Sequence, residues 1–462
     1  MSDQNQAAEG EDSHEDDYAL EKSFVSDVLL ALATDDYDRL AELCEPLHPA
    51  DIADLLEQID GTQRRELIDF AGPLIDGEVL SEIKEDIRED VIDALPDAQL
   101  AEAVRELESD DVVDILEDLE APQQEAILDV LDQGDRIAVE ASLAYPEFSA
   151  GRLMQREVVT APEHWTVGNA IDHLRAQDDL PEQFYHVILV DPRFKPVAYV
   201  TLGRLMASPR DTELSSLTED SFRTFRVDED EGDIAYAFNQ YHLISAPVVD
   251  TEGRLAGVIT IDDAMVVLDE EHEEDVFRLA GVGEETLSTS TLQIVWRRFP
   301  WLGVNLATSI IASIVISLFE DALTAIVALA VLMPIIASMG GNAATQSMTV
   351  AVRALATRDL TSSNALRVIR RESVAGLLNG IIFAVVMGVV GVIWFGSPML
   401  GVVIGAAMVV NLFVAGFAGV LVPLALDRIG IDPALASGSF VTTVTDVVGF
   451  FAFLGLASMV LL

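Results

Sequence analysis

Asp446 sits in SFVTTVTDVVGFF, an otherwise uncharged run near the end of the chain, and is the one ionisable side chain well inside any predicted membrane span. A carboxylate at mid-bilayer costs about 2.5–3.5 kcal/mol on insertion scales unless it meets water, a cation or a partner. No Arg, Lys or His lies at that depth to pair with it. Two readings follow. Either Asp446 is protonated and bonded to a hydroxyl of a neighbouring helix, or it is a pore-lining cation ligand flanked by the Thr442, Thr443 and Thr445 hydroxyls. In a homodimer two such carboxylates would face each other across the axis, and a divalent cation would neutralise the pair. A second motif, PIIASMGGNAATQS, places Gly340-Gly341-Asn342 where it is expected to interrupt an apolar helix. Glycine pairs let backbones approach closely, and the Asn342 amide oxygen suits ordering water around an ion; helix packing alone is the competing reading. No cluster of His and Cys favours a softer metal.

These residues need membrane helices to carry them. Five spans are expected within residues 296–462: 299–319, 322–352, two within the 54 uncharged residues between Glu372 and Asp427, parted at Gly396-Ser397-Pro398, and 433–462. Every basic residue after 296 is an arginine. Arg297 and Arg298 precede the first span, Arg353, Arg358, Arg367, Arg370 and Arg371 follow the second, and Arg428 follows the fourth. With five spans these loops share one side, which the positive-inside rule makes cytoplasmic. The N-terminus is then cytoplasmic, the C-terminus extracellular, and the location a plasma membrane crossed several times.

The remaining residues have the opposite character. Residues 1–296 hold 72 of the 79 acidic side chains and 19 of the 27 basic ones, a charge of −53, whereas the rest sums to +1. That divide implies a soluble module joined to a membrane module. A nucleic-acid partner is excluded by this charge. Only three lysines occur, Lys22, Lys84 and Lys195, against 24 arginines, the pattern of proteins from salt-in halophiles, whose negative surfaces stay solvated in concentrated salt. Most of the acidic residues therefore serve solubility, and a subset remains to collect divalent cations.

Residues 1–22 read as a disordered acidic tail with no secretory signal. Apolar residues recur at helical spacing through 23–148, with breaks at Pro46, Pro49, Gly72, Pro96 and Pro122 and a loose repeat in LHPADIADLLEQID and LPDAQLAEAVRELE, so a stack of short helices wound into a superhelix is expected. The single Cys44 excludes an intramolecular disulfide and reads as a small apolar residue in a helix. Beyond YPEFSAGRLM the texture changes to short β-branched runs, FYHVILVD, PVAYVTL, HLISAPVVD and RLAGVIT, alternating with helical segments.

The second of these sets resembles a CBS domain (209–268), and 149–208 resembles a more divergent first copy. The order of helical N-domain, CBS pair, connecting helix (269–295) and five spans, together with YPEFSAGRLM, GGNAATQ, RALATRDL, IDPALASG and the TDV of the last span, resembles the MgtE family of magnesium channels. The resemblance implies a multidomain membrane protein: an all-α superhelical N-domain, an α/β tandem CBS pair and an α-helical transmembrane domain of five spans, assembled as a homodimer. It implies that Asp446 is the pore aspartate and that Asp432 is an acidic residue at the cytoplasmic mouth. It further implies that cytosolic Mg²⁺ closes the pore by bridging acidic faces, with Glu78, Asp110 and Asp114 matching ligands of the N-domain and Asp263, Glu271, Glu274 and Asp275 matching ligands at the end of the CBS pair and on the connecting helix. Val266 and His242 stand where the family often has aspartates, so either one regulatory site is altered or its ligands move to Asp262, Asp269 or Glu270.

The expected function is a Mg²⁺-selective, Mg²⁺-gated channel, not an enzyme, with Mg²⁺ as both substrate and regulator and the lipid bilayer as its setting. No Walker motif appears, which disfavours primary pumping. The rivals are a Co²⁺ or Mn²⁺ transporter of the same family and a non-conducting membrane sensor whose CBS pair reads a ligand; an adenine nucleotide at that pair is compatible with the sequence without being marked by any residue.

Overall fold

The structure is a computed structural model that describes residues 20–117, 119, 121–177, 180–181, 183–219, 222–282 and 291–462. The acidic tail expected at 1–22 falls almost wholly outside the described residues, as does 283–290 of the expected connecting helix. The chain divides into two compact units, Met1–Glu271 and His272–Leu462.

Among the described residues the first unit begins with ten short helices: α1 (Lys22–Ala33), α2 (Tyr37–Cys44), α3 (Pro49–Gln58), α4 (Gly61–Ala71), α5 (Gly77–Glu82), α6 (Glu85–Ala94), α7 (Asp97–Glu106), α8 (Ser109–Glu117), α9 (Ala121–Leu128) and α10 (Gln133–Leu143). Local chemistry sets their starts. His48 with Asp51, and Asp60 with Gln63, form reciprocal capping boxes on α3 and α4, and Pro49 occupies the first turn where its missing N–H leaves nothing unpaired. The helices are too short to stand alone; from α3 onward they bury apolar faces on the helix two places away, α3 on α5, α4 on α6, α5 on α7 and α8 on α10, while α1 packs on α2 and α4. Two buried arginines repeat along this stack. Arg64 in α4 donates through Nε to the Leu56 carbonyl (2.9 Å) and pairs with Asp90 (3.5 Å); Arg88 in α6 donates to the Ile83 carbonyl (3.1 Å) and pairs with Asp114 (2.9 Å). Each staples the end of the preceding helix to a helix two further on. Cys44 is buried in this core.

The helix α11 (Ala150–Leu153) leads into two copies of one α/β pattern. The first comprises β1 (Thr160–Pro162), α12 (Val167–Leu174), β2 (His186–Val190), β3 (Pro196–Thr201) and α13 (Leu202–Ala207); the second comprises β4 (Phe225–Arg226), α14 (Glu231–Tyr241), β5 (Ser245–Val249), β6 (Leu255–Thr260) and α15 (Ile261–Ala280). In each sheet the first pair is parallel, the second antiparallel, and a register shift falls at the end of the middle strand. The copies meet where β2 and β5 begin: His186 Nδ1 and Ser245 Oγ, at equivalent positions, lie 2.5 Å apart and are buried. Such correspondence between copies is the mark of a tandem CBS pair. α15 begins at Ile261, eight residues before the start expected for the connecting helix, so one helix closes the second copy and continues as the connector to Ala280.

Among the described residues five long apolar helices make up most of the second unit: α16 (Thr291–Ser317), then after the short α17 (Glu320–Ala325) α18 (Ala328–Ala356), α19 (Ala365–Phe395), α20 (Pro398–Arg428) and α21 (Pro433–Leu461). At 1.5 Å per residue each exceeds the roughly 30 Å of a hydrocarbon core. The second span differs from expectation at its start, because 320–325 forms a separate turn of helix, and in its middle, because α18 runs unbroken through Gly340-Gly341-Asn342. Inside a bilayer an interrupted backbone would leave polar groups without water to satisfy them, so the glycines thin the helix rather than break it. α20 is the most enclosed span and α16 the most peripheral. α19 and α20 touch backbone to backbone: a Cβ at Gly376 would strike the Leu412 carbonyl, and one at Gly416 the Glu372 carbonyl.

Candidate functional site

Asp446 is half-buried near the middle of α21. The hydroxyls beside it are turned to their own helix: Thr442 donates to the Gly438 carbonyl (2.9 Å), Thr443 to Ser439 (2.5 Å) and Thr445 to Thr442 (2.9 Å). Among the described residues no protein donor reaches the Asp446 carboxylate. A threonine bonded this way has spent its proton and keeps acceptor lone pairs, so the flank of Asp446 offers oxygen acceptors and no cation. α18 packs on α21, with Gly341 facing Thr442, whose Cγ2 would lie 3.7 Å from a Cβ at 341. The structure thus brings the GGN and TDV segments onto adjoining helices. Asn342 is exposed on α18.

At the foot of α21, Asp432 caps the helix by accepting the Ala434 N–H (2.7 Å). Its other oxygen lies 2.9 Å from Arg278, near the end of α15, and Arg278 also pairs with Glu274. Burial, and then the neighbouring Asp432, push Asp275 above the ordinary carboxylate range. Leu279, one residue past Arg278, packs with Ala344, Met348 and Val441 of α18 and α21. Three expected site residues, Asp432, Glu274 and Asp275, therefore share one cluster, and Arg278, which sequence reasoning missed, is its counter-ion. Its signal was present: a lone arginine three to four residues after an acidic pair on a helix.

In the first unit a further carboxylate cluster lies where α8 meets the second CBS copy. Burial, then Glu157 and Asp263, push Glu108 up to about 7; burial, then Asp263 and Glu108, push Asp111 up to about 7; burial raises Asp263 to about 6 despite the hydroxyl of Thr260 donating to it at 2.6 Å. Asp110 is held well above the usual range by burial, then by Asp263, Asp111 and Glu108. Of the residues expected here, Asp110 and Asp263 converge. Asp114 is exposed and paired with Arg88, and Glu78 stands on the exposed side of α5 with no ion pair or side-chain hydrogen bond among the described residues. Glu108, Asp111 and Glu157 were not foreseen, since their convergence depends on docking between segments far apart in sequence.

Glu271 belongs to a separate group. Burial, then Glu270, Asp230, Glu117 and Glu271, push Glu231 at the start of α14 up to about 7. Of the two positions where aspartates were expected, His242 ends α14 in the left-handed region (φ 54°) and Val266 is exposed on α15. Among the described residues no three His, Cys, Asp or Glu side chains converge closely enough to hold a bare metal ion.

Comparison with known proteins places these features in a family context. The MgtE family profile, described as a divalent cation transporter, matches residues 333–456; the MgtE intracellular N domain matches 47–148; CBS domains match 150–210 and 214–270. The chain is 33% identical to the magnesium transporter MgtE of Thermus thermophilus over 96% of its own length and 99% of that protein. It is 35% identical to the Enterococcus faecalis magnesium transporter MgtE over 69% of this chain and 70% of that one. A crystal structure described as the cytosolic domain of the Mg²⁺ channel MgtE in complex with ATP is 30% identical, with a TM-score of 0.49, over 53% of this chain and 100% of that one.

Proposed function

The chain belongs to the MgtE family of divalent cation transporters, and on that premise we propose that it is a Mg²⁺-selective channel, admitting Mg²⁺ to the cytoplasm down its electrochemical gradient and closing when cytosolic Mg²⁺ is high. It is a multi-pass membrane protein, a transporter rather than an enzyme. The observation that carries the reading is Asp446, a carboxyl at the centre of a membrane helix with no protein cation beside it among the described residues. Two copies related by a homodimer axis would place two carboxylates at the pore. Mg²⁺ sheds water reluctantly, so carboxylate, threonine and Asn342 amide oxygens suit a largely hydrated ion. The arginine-bearing loops favour a cytoplasmic N-terminus and an extracellular C-terminus.

Closure follows from the carboxylates outside the spans. At Asp110 and Asp263, and at Glu231 beside Glu270 and Glu271, burial and the neighbouring carboxylates raise the proton affinity. A hydrated divalent cation would relieve that repulsion, which is the fit these residues offer to regulatory Mg²⁺. Glu274, Asp275 and Asp432 would add a site at the mouth, where Arg278 already neutralises part of the charge. Glu78 and Asp114 fit this role less well in the conformation described.

The test is Mg²⁺ flux in proteoliposomes of the full chain, with free Mg²⁺ set on the cytoplasmic face and Co²⁺ and Mn²⁺ as competing ions. Flux that falls as cytoplasmic Mg²⁺ rises, with weak competition, is expected. Preference for Co²⁺ or Mn²⁺ would overturn the selectivity, and no divalent flux at any Mg²⁺ concentration would favour a sensor.

A further inference from the structure

Asn411 lies in α20, on neither of the two helices that carry the GGN and TDV segments, yet it is wedged between them. It is fully buried, in the apolar stretch MVVNLFV. Its Nδ2 donates to the Ile336 carbonyl of α18 (2.9 Å), one turn before Gly340. A Cβ at Gly340 would run into that same Nδ2, and one at Gly449 of α21 would lie 2.8 Å from it. Both glycines are thus spaces that Asn411 fills: one sits two residues before Asn342, the other three residues after Asp446. The Asn411 Oδ1 is buried with no donor in reach among the described residues. A buried amide oxygen left unpaired is unfavourable, and leucine is isosteric enough to fill the space without that penalty, so packing alone does not account for an asparagine.

We propose that Asn411 is a positioning residue of the ion pathway: its amide pins α18 to α20 at Ile336 and keys into Gly340 and Gly449, thereby fixing Asn342 and Asp446 relative to each other. This rests on the reading of Asp446 as the pore ligand. A site of hydrated-ion recognition is sensitive to placement, because ligands about 1 Å out of position lose most of their discrimination. The amide bond supplies the direction that a purely apolar contact lacks.

The experiment compares full-length wild type, N411L, G340A, the double variant G340A/N411A, and D446A in proteoliposomes, reading Mg²⁺ flux, the Mg²⁺/Mn²⁺ flux ratio and the melting temperature in detergent. N411L is expected to keep or raise the melting temperature while the Mg²⁺/Mn²⁺ ratio falls about tenfold. G340A is expected to lose flux by steric conflict, and G340A/N411A to recover part of it as the space reopens. N411L with wild-type flux ratio overturns the proposal. If N411L does not fold, the pair of alanine variants decides: recovery in the double variant supports the proposal, and G340A of full activity or a double variant without recovery overturns it. D446A separates the two levels. If D446A conducts normally, the pore reading itself fails; if D446A is inactive while N411L keeps its selectivity, only the role of Asn411 fails.

Discussion

The carboxylates that face one another across α8 and the second CBS copy behave differently from the acidic surface around them. Glu108, Asp111 and Asp263 are pushed up to about 7, 7 and 6 by burial and by each other. Their folded values lie above their unfolded ones, so between about pH 4 and pH 7 the folded protein binds more protons than the unfolded chain, and stability falls as pH rises through that window. A divalent cation needs these groups ionised, so its stabilising effect should grow over the same window and its binding should release protons. The expected outcome is a Mg²⁺-induced rise in melting temperature that is larger at pH 8 than at pH 5.5. Equal rises would mean that these carboxylates take no part. None of this was legible from the charge alone, because 72 acidic residues precede Arg297 and only contact between distant segments separates the few that repel from the many that are solvated.

Among the elements, the helix stack of the N-domain shows how far pattern carries. Its repeat, its proline and glycine breaks and its capping residues are local, and they specify where the helices begin. The staples that hold alternate helices together are not local. Arg88 is buried with Nε on the Ile83 carbonyl and pairs with an Asp114 that is largely exposed. R88A would leave that carbonyl without its donor and should destabilise the protein by about 1–3 kcal/mol; D114A keeps the carbonyl contact and opens the guanidinium to water on its exposed side, so it should cost less than R88A. Denaturant unfolding of the full chain measures both, and equal losses would contradict the assignment of the energy to the carbonyl contact. The same limit of local pattern explains α18 and α15. The glycines at 340 and 341 look like a break until the bilayer's demand for internal hydrogen bonds is considered. α15 looks like two pieces, yet Asp262 and Asp263 in its first turn favour one helix from Ile261 onward.

For the whole molecule, hydropathy and charge located five membrane helices and a soluble half, and the resemblance supplied the family. The fold class was therefore legible almost throughout, including the two CBS copies, whose strand patterns repeat. Of the candidate site, Asp446 stands out in the sequence by its depth and Asn342 by its motif, whereas Asn411 and Arg278 are picked out only by what they touch. Orientation is argued from arginines alone, and it predicts that S397C reacts with an impermeant thiol reagent from outside intact cells whereas R358C reacts only after permeabilisation; the reverse would invert the topology. Net charge of −52 also predicts stability that rises with salt, since the Debye length shrinks to about 3 Å at 1 M and repulsion within the acidic half is screened. In molar salt the closure proposed above would depend on direct or water-mediated contact with Mg²⁺, not on long-range repulsion.

The central claim, that Asp446 is where the ion meets the protein, is tested most directly by Mg²⁺ flux through purified D446A and D446N against wild type in proteoliposomes at low cytoplasmic Mg²⁺. Both variants should be at least as thermostable as wild type, since each removes a costly carboxylate from the membrane interior, and both should conduct little or no Mg²⁺. Well-folded D446A or D446N carrying Mg²⁺ at the wild-type rate would contradict the account.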